Sequence, residues 1–91
     1  MDDYELRDIQ RVIGQVLIPQ ARAQQSEILP EREALTLGLE LYYTAFTIKP
    51  RYRSAGLMVA RRFVERMGLD SEQVEAFAVE QVRAALEGEQ Q

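Results

Sequence analysis

Lys49, Arg51, Tyr52, Arg53, Arg61, Arg62 and Arg66 are where this chain concentrates groups able to recognise a partner. From 49 to 66, six cationic residues stand against one acid, Glu65, a net +5. The rest carries five basic and fourteen acidic residues, a net −9, and the two give the −4 of the whole chain. Such a belt attracts phosphate or a carboxylate-rich protein surface. Lys49, Arg51 and Arg53 alternate, so in an extended segment they point the same way. Tyr52 lies among them and can stack on a base or on a guanidinium plane. Arg62 and Arg66, four residues apart on a helix, repel each other mildly. The same run also fits ordinary solvated surface, partly neutralised by the chain's own Glu72, Glu75 and Glu80.

Other chemistry is poorly supplied. The chain has no histidine and no cysteine, which removes the commonest general base, thiolate nucleophiles and the usual transition-metal ligands. A Glu-x-x-His di-iron motif is therefore impossible. No EF-hand loop, Walker loop or Gly-x-Gly-x-x-Gly occurs. Glu33 and Glu40 share one side of a helix, but seven residues apart on a wet face they read as surface. We expect no catalytic residue, no cofactor-binding residue, no metal site and no enzymatic activity.

The elements that position the belt follow from periodicity and punctuation. Leu35, Leu37, Leu39, Leu41 and Tyr43 alternate with polar or small residues, as in a strand. On a helix at about 100° per residue, Thr36, Glu40, Thr44, Thr47 and Glu33 form a narrow polar strip. Phe46 and Ile48 join the apolar set only in the helical reading. A helix from Pro30 to about Ile48 follows, stopped by Lys49-Pro50. Its apolar arc of roughly 200° needs covering on more than one side.

Before it, Leu6, Ile9, Ile13 and Val16, widened by Val12 and Leu17, mark a first helix. It starts after Asp2 or Asp3, carries an Asp3–Arg7 pair, and ends or kinks near Leu17 because of Pro19. After KPRYRS, Ser54 caps a third helix over Ala55–Met67. Its apolar face is Gly56, Leu57, Val59, Ala60, Phe63, Val64 and Met67, with Met58 among the charged residues opposite. Gly68 terminates that helix. Asp70 and Gln73 then form a capping box, with Leu69 and Val74 as its hydrophobic staple. Val74, Phe77, Ala78, Val82, Ala85 and Leu86 make the buried stripe of a fourth helix, fraying by Gly88.

The expected fold is all-α: a small bundle of four, or counting a segment after Pro19 five, helices. It forms one domain over 1–91, with 1–3 and 87–91 frayed and 18–29 either a connection or a short extra helix. Leu39, Tyr42, Phe46 and Phe63 are expected near its buried centre. The acidic start MDDYELRD lacks the charge and apolar run of a signal peptide, and no stretch approaches a membrane span. A soluble, cytoplasmic protein without membrane contact is expected.

Two specific geometries fail on charge or on economy. Gly68-Leu69-Asp70 has the length of a helix-turn-helix turn, but the would-be recognition helix offers Glu72, Glu75, Glu80 and Glu87 against Arg83 alone, which duplex phosphates repel. A basic amphipathic helix could lie on a membrane, but a domain this small needs that apolar face for its core. The reading that remains is a non-enzymatic interaction, adaptor or regulatory module. It pairs with a second copy of itself and turns its cationic belt toward an acidic protein partner. The alternative is a nucleic-acid-binding accessory protein gripping phosphates with the same belt.

Overall fold

The computed structural model describes residues 5–24 and 30–89. In order these form α1 (Leu6–Val12), a π-helical turn (Ile13–Leu17), α2 (Ile18–Gln24), α3 (Pro30–Thr47), α4 (Pro50–Arg66) and α5 (Ser71–Glu89). The first three run on without a break, so the described residues build four helical rods and no strand. The all-α bundle expected from periodicity is what forms. Capping by Asp2 or Asp3, the Asp3–Arg7 pair, the connection at 25–29 and the ends 1–3 and 90–91 lie outside the described residues. So do the side chains of Glu31 and Glu33.

The first rod corrects the expected start and takes the short-helix alternative after Pro19. It begins at Leu6, because Glu5 is extended (φ −69°, ψ 144°) and its carbonyl accepts the amides of Asp8 and Ile9. It also continues through Pro19 to Gln24. In an α-helix the ring of Pro19 meets the carbonyl of Gln15. Here the turn before it is wider, with the Ile18 amide donating to the Ile13 carbonyl five residues back, and that relieves the contact. The π turn also straightens the buried face. Each four-residue step on an α-helix overshoots a full turn by about 40°, and the wider turn takes back part of this drift. Ile9, Ile13, Leu17 and Ala21 are accordingly all buried, with Val12 beside them.

Helix α3 is the axis of the fold and touches every other element. Its Leu39, Tyr42, Tyr43 and Phe46 join Ile9, Val12, Ile13 and Leu17 of the first rod, Ala60 and Val64 of α4, and Val74, Ala78, Val82 and Leu86 of α5 in one core. The Tyr42 hydroxyl donates to the Ser71 carbonyl at 3.2 Å, tying α3 to the start of α5. Gln10 Nε2 donates to the Thr47 carbonyl at 2.7 Å, satisfying one of the acceptors a helix C-terminus leaves open. The expected polar strip of α3 divides. Thr36 is buried, Glu40 is half-buried beside Arg22 Nε at 3.5 Å, and Thr44 is exposed, its hydroxyl donating back to the Glu40 carbonyl.

Two glycines let α3 and α4 approach closely. A Cβ on Gly38 would sit 2.5 Å from Val64 Cγ1, and one on Gly56 would sit 2.8 Å from Ile48 Cδ1 and 3.1 Å from Ala45 Cβ. The α4–α5 turn has the glycine terminator and N-cap its sequence suggests, while the return bond from the Gln73 side chain that would complete a capping box does not form among the described residues. Gly68 is left-handed at φ +78°; Leu69 N–H reaches the Val64 carbonyl and Gly68 N–H the Glu65 carbonyl, a Schellman closure. Asp70 Oδ1 then accepts the amides of Glu72 and Gln73 at 3.0 and 3.4 Å, which is the expected N-cap. Helix α5 continues past Gly88 to Glu89 instead of fraying there.

Helix α4 is the peripheral rod. Among the described residues it packs on α3 and α5 and makes no close backbone approach to α1, the π turn or α2. One long side of it is therefore left to solvent.

Candidate functional site

The belt takes a different shape from the one its sequence suggests. Lys49 is the N-cap of α4 and Pro50 its first residue, so Ser54 is not the cap and KPRYRS is not a connection. Proline is pre-set for a helix start and gives up no needed donor there; the Tyr52 amide bonds back to the Lys49 carbonyl at 2.9 Å. On a helix, Arg51 and Arg53 stand about 200° apart, and the shared direction of Lys49, Arg51 and Arg53 is lost. Arg53 turns inward, half-buried, with Nε buried and without a hydrogen-bond partner. Arg51 stays outside, its guanidinium 4.8 Å from the Tyr52 ring centroid, a cation–π contact.

Arg61 also leaves the belt. Its Nε and one terminal nitrogen donate to Glu75 Oε1 and Oε2 at 2.9 and 3.1 Å, a bidentate fork joining α4 to α5. The hydrogen bonds and charge of Glu75 hold the guanidinium pKa above its ordinary value. The lone acid of the belt, Glu65, is likewise occupied, accepting the Ser71 hydroxyl at 3.0 Å. The expected partial neutralisation is thus real at Glu75. Lys49, Arg62 and Arg66 are exposed and make no ion pair with another described residue.

What the structure brings together is a stripe on the solvent side of α4. Arg51, Ala55, Met58, Arg62 and Arg66 recur at steps of four, three, four and four, and all are exposed. Tyr52 and Val59 lie beside them. Met58 is 50% exposed and Val59 59%, two neighbouring apolar side chains on a helix whose other side reaches the core. Val59 was expected on the buried face. Of the other residues expected there, Ala60 and Val64 are buried and Gly56, Leu57 and Phe63 half-buried, with Val64 against Gly38 and Gly56 against Ala45, while Met67 is 52% exposed.

Chain comparison adds no relative. The sequence matches no family model, no curated protein and no solved structure. The surface must speak through its own residues.

Two apolar recesses complete it. Leu37, Glu40, Leu41, Thr44 and Phe63 line one of about 350 Å³ between α3 and α4. Leu35, Leu69, Asp70, Gln73, Val74 and Phe77 line another of about 260 Å³ beside the α4–α5 turn. Phe63, expected at the buried centre, is half-buried on the rim of the first, and Phe77, expected in the stripe of α5, is 50% exposed. Leu35, Leu37, Leu41 and Ile48 are the part of the α3 arc that keeps solvent contact; the rest is covered within one chain. In the first rod Ile9, Val12, Ile13 and Leu17 are buried and Leu6 and Val16 half-buried, so neither helix needs a second copy to bury its main face. Among the described residues no cluster of three acidic side chains could hold a metal ion, and no helix is long and apolar enough to cross a membrane.

Proposed function

We propose that this protein is a non-enzymatic interaction module whose docking surface is the solvent side of α4, and that the partner is an acidic protein surface. The single observation that carries this reading is the exposure of Met58 and Val59 between Arg51–Tyr52 on one side and Arg62–Arg66 on the other. Methionine, tyrosine and arginine are the side chains enriched where protein interfaces are made, with apolar contact at the centre and charge at the rim. A phosphate backbone rewards the arginines alone and leaves Met58 and Val59 wet. With Arg61 paired to Glu75 and Arg53 turned inward, the cations left for phosphate are also fewer than the six of the sequence.

A photo-reactive residue at position 58, in the native cell, tests this. The expected adducts are with protein, and Arg62→Glu/Arg66→Glu abolishes them. Adducts with nucleic acid alone would replace this reading with the phosphate-binding one, and no adduct of either kind would remove both.

A further inference from the structure

We infer that the acidic surface recognised by α4 is the solvent side of α5 in a second copy of the chain, the two copies exchanging identical α4-on-α5 contacts about a two-fold axis; this rests on the docking reading of α4. The solvent side of α5 carries Glu72, Ala76, Glu80, Arg83 and Glu87, at steps of four, four, three and four, all exposed. Three carboxylates against one cation make it opposite in sign to the α4 stripe, whose charges are three arginines. Its one cation, Arg83, is already answered by Glu80 at 3.9 Å, and Glu75 is drawn off to Arg61.

The two stripes also match in length and grain. Arg51 to Arg66 and Glu72 to Glu87 each span fifteen residue steps, about 22 Å of helix. Laid antiparallel with ends aligned, Arg66 faces Glu72 and Arg51 faces Glu87. Arg62 then lies over Ala76, between Glu72 and Glu80, while Met58 meets the stem of Glu80 and Ala55 lies opposite Arg83. The small side chains at 55 and 76 leave room for close approach. Laid parallel, the same stripes put Arg62 against Arg83, a like-charge contact that disfavours that orientation.

The antiparallel arrangement is also the one symmetry supplies. Helices α4 and α5 turn back on each other through Met67–Asp70, with Arg61 meeting Glu75 alongside. A two-fold axis parallel to such a hairpin sets α4 of one copy antiparallel to α5 of the other, twice. The contact closes on itself and stops at two chains.

Light scattering coupled to size exclusion tests this with the full chain. A species of twice the 10.5 kDa chain mass is expected at tens of micromolar, falling toward monomer as salt rises and screens the paired stripes. Arg51→Glu/Arg66→Glu alone and Glu72→Lys/Glu87→Lys alone should each be monomeric. Mixed in equal amounts they should recover the dimer, because both α4-on-α5 contacts are again complementary. That recovery also shows that neither variant lost its fold. A monomeric native chain across the series, no recovery on mixing, or growth beyond two chains each overturns the inference. Its failure is separable from that of the docking reading. A monomer that still gives protein adducts from position 58 loses only the second-copy partner; a chain that gives none loses the docking surface itself.

Discussion

Helices α3 and α4 are nearly equal in length and lie side by side, yet they have opposite relations to water. Helix α3 meets every other element, and even Thr36 on its polar strip is buried. Among the described residues helix α4 meets α3 and α5 alone, and Met58 and Val59 stand in solvent. Composition separates these fates in part, five arginines standing in α4 and one in α3. The rest lies in which residues permit the closest approach. Gly38 against Val64, and Gly56 against Ala45 and Ile48, fix how α4 is rotated. Once that rotation is set, Val59 faces out whatever its preference.

The sharpest way to break the contrast is to cut a large side chain from each helix. Phe46→Ala should destabilise the fold by about 3–5 kcal/mol in urea unfolding, the cost of a buried aromatic and the cavity it leaves. Met58→Ala and Val59→Ala should each change stability by less than about 0.5 kcal/mol, as surface substitutions do. A large loss from either would mean that α4 is rotated into the core. Between these extremes lies Gly38→Ala. A methyl placed 2.5 Å from Val64 Cγ1 should cost about 1–3 kcal/mol as overpacking, against a helix-propensity gain of up to about 1 kcal/mol. Adding Val64→Ala should make the pair less than additive.

A pH titration gives the smaller test at neutral conditions and a larger one in alkali. Burial pushes the Tyr43 phenol up to about 12, while an unfolded tyrosine ionises near about 10. Between those values the unfolded chain holds fewer protons than the folded one, so stability is fully present below pH of about 10 and falls as pH rises toward about 12. Burial raises Tyr42 in the same direction. Tyr43→Phe should flatten the alkaline limb of a circular-dichroism titration. An unchanged limb would place that phenol in water.

Much of this was legible from single residues. The α3 helix, the Gly68 terminator and the Asp70 cap were readable because each depends on a nearby cue: a proline, a left-handed glycine, a carboxylate facing two free amides. The start of α4 was misjudged because Pro50 has two local meanings. It ends one helix and begins the next, and Ser54 offered a competing cap that the structure does not use. The π turn before Pro19 was not legible, since a proline says that an α-helical bond is missing and not how the chain will absorb the loss. The site was legible as a list and not as a shape. Arg62 and Arg66 stayed where helical spacing put them, whereas Arg53 and Arg61 were withdrawn by burial and by Glu75, which only the tertiary arrangement brings within reach.

The central claim is that the solvent side of α4 is occupied in the native setting. Met58 and Met67 are 50% and 52% exposed in the free chain, and Met67, the C-cap of α4, lies outside the stripe. Oxidative footprinting by mass spectrometry, in the native cell and on dilute purified chain, therefore carries its own control. The account expects Met58 to be protected in the cell while Met67 oxidises equally in both. Equal oxidation of Met58 in the two settings would contradict it.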